Sequence, residues 1–194
     1  LKCVGGSDVT RIFLALALGL AMLPSSGRVA EAADAESGKS LELAVKATFL
    51  DKFEPFVTWP EAAFSTPTAP FALCVIGDNP LGALIDRAVS GQSYGAHEIR
   101  VYRLPTLSSN SLCHLAYIGT QDPQSALQAL NAVQNMPVLT VTDSIRDNAA
   151  KGIINFVTAD NRVRFEIDEA AATRNGLAIS SKLLSLAIAV KGGP

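Results

Sequence analysis

Two histidines and three cysteines are few for a chain of 194 residues, and the shortage limits its chemistry. A metal centre needs three or four convergent ligands. Cys74, Cys113 and His114 can supply at most three, and adjacent strand residues point to opposite faces, so neither a metal nor a cofactor is expected. Positive charge is also scarce. Lys and Arg number 16 against 18 Asp and Glu, with no basic stripe of the kind nucleic acid requires. No glycine loop of phosphate-binding type occurs; Gly77-Asp-Asn-Pro-Leu-Gly82 follows an apolar run but lacks the Gly-x-Gly approach and a lysine. Internal repeats and low-complexity tracts are missing as well.

One long apolar run is present, Ile12–Leu23, broken only by glycine and preceded by Lys2 and Arg11. Its dozen residues suit the core of a signal peptide and fall short of the ~20 that a membrane span needs. Ala30-Glu31-Ala32 supplies the small-x-small pattern of a cleavage site, which places residues 1–32 in a cleaved leader and the protein in a bacterial periplasm. Cys3 precedes the run, where a lipoprotein cysteine would follow it. Residues 33–40 read as a flexible new N-terminus and 41–191 as one domain. Without the leader the charges are 13 basic and 16 acidic.

Within that domain, strands and helices alternate. Leu41, Val45, Phe49 and Phe53 recur at helical spacing, and Pro55 should end or kink the helix because it lacks an N–H donor. Phe71–Gly77, Cys113–Gly119 and Val138–Thr142 read as buried strands, and Glu98–Leu104 alternates as a half-exposed one. Helices are expected from Asp78 or Asn79 to Val89 and from Pro123 to Val133. A hairpin follows, Ile153–Val157 and Val163–Ile167, then a helix from Asp168 to Asn175 stopped by Gly176, and a last helix from Ser180 to Ala189. The order implies an α/β layered domain: a mostly parallel central sheet flanked by helices, plus an antiparallel hairpin.

Two catalytic motifs fail on context. Gly91-Gln-Ser-Tyr-Gly95 matches the nucleophile elbow, but the elbow needs a strand before its serine and a helix after, and here the order is reversed. For Ser93 the bases on offer are His97, close in sequence, and His114, which reads as a satisfied core histidine. Ser180-Ser181-Lys182 is better read as a helix N-cap than as a Ser–Lys pair. No active site assembles, and the protein is not expected to be an enzyme. Cys74 and Cys113 remain as the thiols of the exported domain. If their strands are parallel neighbours with Gly77 and Gly119 level, the cysteines are ~10 Å out of register, beyond the ~7 Å limit for bridging. Residues alone leave two readings open, a disulfide or two buried thiols.

The ordered set Val45-Lys-Ala-Thr-Phe-Leu50, Phe56-Val-Thr-Trp-Pro60, Phe71-Ala-Leu-Cys-Val-Ile-Gly-Asp78, Cys113-His-Leu-Ala-Tyr-Ile-Gly119, Val138-Leu-Thr-Val-Thr-Asp143, Ile154-Asn-Phe-Val157, Arg162-Val-Arg-Phe-Glu-Ile167 and Gly176-Leu-Ala-Ile-Ser-Ser-Lys-Leu-Leu184 resembles the YfiR family of periplasmic proteins. The likeness spans roughly residues 41 to 190. It implies an α/β repressor that binds the periplasmic part of an inner-membrane diguanylate cyclase, holding down cyclic di-GMP and biofilm formation. Release through an outer-membrane lipoprotein or through redox state, and a homodimer, are further implications. The resemblance also implies a Cys74–Cys113 disulfide. A second cysteine pair of better-studied members has no counterpart in Ser144–Gly152, so redox tuning would rest on one bond.

A repressor needs a surface for its target. Phe53, Phe56 and Trp59 are candidate anchors, with core filling as the alternative. Arg162, Arg164 and Glu166 alternate on one strand face and, with Lys182, can form a polar contact; a solvated edge is the plainer reading. The other function class open to the chain is a periplasmic small-ligand-binding module that feeds a membrane receptor or sensor kinase.

Overall fold

The structure, a computed structural model, describes residues 27–192. The apolar run Ile12–Leu23 and Cys3 lie outside the described residues, and the expected cut at Ala32 falls inside the first helix. That helix, α1 (Gly27–Phe53), also includes residues 33–40, which were expected to be flexible; Glu36 to Leu41 are exposed along it. Pro55 ends it as expected, in a single 3-10 turn at Glu54–Phe56. There follow β1 (Val57–Thr58), β2 (Phe71–Ile76), α2 (Ala83–Val89), β3 (Ser93–Tyr94), β4 (His97–Leu104), β5 (Leu115–Ile118), α3 (Pro123–Ala132), β6 (Leu139–Asp143), β7 (Ile154–Ala159), β8 (Arg162–Asp168), α4 (Glu169–Arg174), β9 (Ala178–Ile179), α5 (Ser181–Leu184) and β10 (Ala189–Lys191).

Eight strands form one sheet in the order β10-β8-β7-β6-β5-β2-β4-β3, and β1 pairs with β9 in a separate antiparallel ladder. The neighbours in the large sheet are parallel except β3–β4 and β7–β8, so the mostly parallel α/β layering is as expected. Strands β2, β5 and β6 are buried at every residue, which is why they read as unbroken apolar runs. Alternation sorts their side chains between two layers. Leu73, Val75, Leu115, Tyr117, Leu139 and Val141 face α1 and α2, together with Leu50, Phe53 and Ile85. Cys74, Ile76, Ala116 and Ile118 face α3, whose own contact residues Ala126 and Ala129 are small enough to let it lie close.

The chain reverses its winding direction between β2 and β5, the place where open α/β sheets usually bind ligands. Here the two loops close on each other: a Cβ on Gly119 would collide with the carbonyl of Asp78. The sheet's other end was expected differently. The helix predicted from Ser180 to Ala189 stops at Leu184, and the chain extends as β10 alongside β8, with Ile188 N–H donating to Phe165 O at 3.0 Å. An uncovered β8 edge would leave a row of unpaired backbone groups, and three residues of β10 satisfy part of it. In the β7–β8 hairpin the strands run longer than expected, leaving Asp160 and Asn161 as a two-residue turn, both at positive φ. Gly176, at φ +72°, caps α4 as expected.

Cys74 and Cys113 are joined by a disulfide with a Cα separation of 5.8 Å. The register objection fails for a specific reason. Ile76 is paired with Ile118, so the glycines that follow are indeed level. Cys113 is not in the strand, however, which begins at Leu115. Leu112 takes φ +49° and the chain bends at His114, carrying Cys113 out of the sheet plane onto the α3 side, where Cys74 points. The bond closes a separation of 39 residues, so reducing it should lower stability by up to about 4 kcal/mol in the chain-entropy picture. A urea midpoint that does not move between oxidised and reduced protein would contradict this.

Candidate functional site

A buried cluster of charged groups lies between α1 and the end of β6. Lys46 sits in the apolar stripe of α1, where helical spacing turns it inward, and Asp143 is the last residue of β6. Their side chains are 4 % and 7 % exposed. The Lys46 ammonium donates to both oxygens of Asp143, at 2.7 and 2.8 Å, and to Glu42 at 2.5 Å one helical turn away. Asp143 also accepts from the Tyr117 hydroxyl at 3.0 Å and from Ser144 Oγ at 2.9 Å. Burial, and then the Asp143 charge, push the Tyr117 phenol well above its ordinary range, which keeps it a proton donor. Every lone pair facing inward has a partner, the condition under which a buried ion pair is tolerated. Sequence reading missed this group; its only signal was a lysine and an aspartate inside otherwise apolar stretches.

A second polar group lies beneath the β7–β8 hairpin, on the other face of the sheet. Asn155 donates to Ile145 O at 3.3 Å and accepts from Thr142 Oγ1 at 2.8 Å, and Glu166 takes a 2.7 Å bond from Lys151. Asn155, Lys151 and Glu166, with Asp168 and Lys191, line a cavity of about 160 Å³. A larger cleft of about 690 Å³ runs between α1 and the hairpin tip and is lined by Leu41, Val45, Phe49 and Arg162.

The residues singled out from sequence fall in different places. Phe53 and Trp59 are buried: Phe53 stacks among Phe49, Phe156 and Phe165, and Trp59 Nε1 donates to His114 O at 3.1 Å. They fill the core, the alternative reading for these two aromatics, and Phe56 is half-buried. Arg162 and Arg164 are exposed on β8, whereas Glu166 is half-buried and held by Lys151, not Lys182. Lys182 is exposed at the start of α5, whose N-cap is Ser180. Ser93 lies opposite Glu98 in the β3–β4 hairpin, so its motif marks a turn between hairpin strands and not a strand-to-helix elbow. Among the described residues no group of three or more His, Cys, Asp and Glu side chains is placed to hold a metal. Among the same residues no helix is long and apolar enough to cross a membrane.

Glu54, just after α1, is buried, and among the described residues its Oε2 has no hydrogen-bond partner. Burial first, and then the charge of Asp51, push its carboxyl up to about 7 from an ordinary 4.5. A raised acid favours the folded state fully below 4.5 and progressively less as pH rises towards 7. Glu54→Gln should therefore stabilise the protein at about pH 8 by roughly 1–2 kcal/mol and do little near pH 4. Equal effects at the two pH values, read by urea denaturation, would refute the assignment. Lys46→Met should cost about 3–5 kcal/mol by stranding the Asp143 charge, and adding Asp143→Leu should recover part of that loss. A double mutant as unstable as the sum of the singles would show that the pair does not act as a unit.

A search of curated proteins found no match to this chain. A family model described as YfiR/HmsC-like matches residues 43–188. That range starts on the buried face of α1, takes in β1 to β9 with the disulfide and Asp143, and ends just before β10. The chain belongs to the YfiR/HmsC-like family.

Proposed function

We propose that this protein is an exported periplasmic regulator that binds the periplasmic sensor part of an inner-membrane diguanylate cyclase and holds it inactive, lowering cyclic di-GMP and biofilm formation. The observation that carries the reading is the family match over residues 43–188. A leader over residues 1–32 delivers the domain to the periplasm, and a disulfide is at home in that oxidising compartment. A homodimer and an outer-membrane lipoprotein that relieves repression complete the set of partners.

The protein works by occupying a surface and not by chemistry. Arg162 and Arg164 are exposed on β8, with no carboxylate among the described residues fixed across them, and Arg is favoured at interfaces for its planar, multiply donating head. With half-buried Phe56 and exposed Lys182 they are the contact residues we assign. Redox tuning acts through Cys74–Cys113. Cys74 is fully buried and Cys113 nearly so, so a reductant reaches the bond only after the bend at Leu112 opens. The polar cavity beneath the hairpin, about 160 Å³, is below the ~300 Å³ at which ligand pockets begin, so a small-ligand role would fall to the cleft of about 690 Å³ between α1 and the hairpin tip.

Deleting the gene should raise cellular cyclic di-GMP, and wild type supplied in trans should restore it. The Arg162→Glu/Arg164→Glu variant, if normally folded and exported, should fail to restore it and should lose retention of the cyclase's periplasmic domain in a pull-down. Unchanged cyclic di-GMP on deletion would sink the reading. Full complementation by the charge-reversed variant would remove β8 from the interface.

A further inference from the structure

The apolar stripe of α1 runs on past the core that it serves. Leu41, Val45, Phe49 and Phe53 recur at every fourth residue and so lie along one side of the helix. Towards the C-terminal end that side is packed: Phe53 is buried, and Phe49 meets Phe165 with ring centroids 5.6 Å apart. Towards the N-terminal end the packing thins. Val45 is half-buried, and Leu41 is 68 % exposed.

Between this thinly packed part and the tip of the β7–β8 hairpin runs the cleft of about 690 Å³, inside the ~300–1,000 Å³ range of small-molecule sites. Leu41, Val45 and Phe49 line it from the helix and Val163 from β8. From Leu41 to Phe49 the helix rises about 12 Å, so the apolar wall is long and narrow and suits an extended, unbranched tail. Burying such a tail there covers Leu41, which the fold itself leaves in water.

Charge is placed at one end of the cleft. Lys39 lines it two residues before Leu41, and Arg162 lines it just after the hairpin turn at Asp160 and Asn161. Among the described residues neither is held in an ion pair. Glu42 is the one carboxylate among the lining residues, and it is bound to Lys46. The mouth therefore carries two uncommitted cations, and the Arg162 guanidinium has the planar fork that matches a carboxylate. A second copy of the chain is a poorer occupant, because a two-fold contact sets this patch against itself and brings cation towards cation.

We propose that the cleft between α1 and the β7–β8 hairpin binds a free, single-tailed carboxylic acid, its tail along Leu41, Val45 and Phe49 and its carboxylate between Lys39 and Arg162. The site shares Arg162 with the surface assigned above. Binding is measured on this chain alone, however, so it holds or fails independently of the cyclase.

Decanoate is the probe, used below its micelle range. Isothermal titration of the purified protein should show one site per chain. Decanol and decyltrimethylammonium, which have the same tail, should bind at least about tenfold more weakly. Amide resonances should shift in residues 38–49 and 158–163 and stay in place elsewhere. Arg162→Gln and Lys39→Gln, both at exposed positions, should each weaken decanoate by about tenfold and leave decanol unchanged. Glu42→Gln removes the negative charge at the mouth and should tighten decanoate by about two- to fivefold. Equal affinity for the three ligands, shifts centred on another part of the domain, or decanoate affinity unchanged in both Arg162→Gln and Lys39→Gln would each overturn the site. So would absence of decanoate binding: retention on phosphatidylglycerol vesicles would then make this face a membrane surface, and self-association lost in Leu41→Lys would make it a contact between copies.

Discussion

The arrangement depends most on one buried contact, the ammonium of Lys46 held by both oxygens of Asp143. An amphipathic helix can slide or rotate over an apolar sheet with little change in buried area. A charge that must meet its partner deep in the interior cannot, because misplacing it leaves two desolvated ions. Lys46 therefore fixes the axial position and rotation of α1 over β6, and Tyr117, Glu42 and Ser144 make the contact directional by using the remaining donors and acceptors. With the helix set, Phe49 and Phe53 meet Phe156 and Phe165 from the β7–β8 hairpin, which joins the first element of the domain to one of its last.

On the opposite face the same economy is reached with small side chains and a covalent bond. Cys74, Ala116, Ala126 and Ala129 leave little volume to fill, so α3 approaches closely and the disulfide occupies the space at the start of β5. The chain reaches that geometry by placing an exposed leucine, Leu112, in the left-handed region, a conformation that costs a non-glycine residue of order 1 kcal/mol. The same bend turns His114 so that its ring points at the loop before β2 while its backbone still pairs with Ala72 and Leu139. Bridge, bend and histidine form one local structure.

Much of the layering was legible because it is written locally. β2 and β6 are unbroken apolar runs, Pro55 and Gly176 stop helices through their own backbone constraints, and an apolar–polar alternation marks β8. What escaped depends on residues far apart in sequence. Nothing near Lys46 announces Asp143, 97 residues on. The β1–β9 ladder is two residues long on each side, too short for any periodicity. Leu183 to Val190 fits a helix and a strand almost equally well, and the open edge of β8 decides between them. For the cysteines, treating Cys113 as part of its strand gave the wrong distance although the register itself was right. Of the residues proposed for a surface, Arg162 and Arg164 are exposed as their alternation implied, whereas Phe53 and Trp59 carried the ambiguity of every aromatic on an amphipathic element.

The disulfide also constrains how two copies of the chain can become entangled. Exchange of an N-terminal portion between copies requires the connection to open at one hinge, so that residues before it pack into one copy and residues after it into another. With Cys74 bonded to Cys113 of the same chain, no such hinge can lie anywhere from residue 75 to residue 112, the stretch that carries α2, β3 and β4. The bond thus acts as a topological lock on that stretch and forces β2 and β5, neighbouring parallel strands of the large sheet, to come from the same polypeptide.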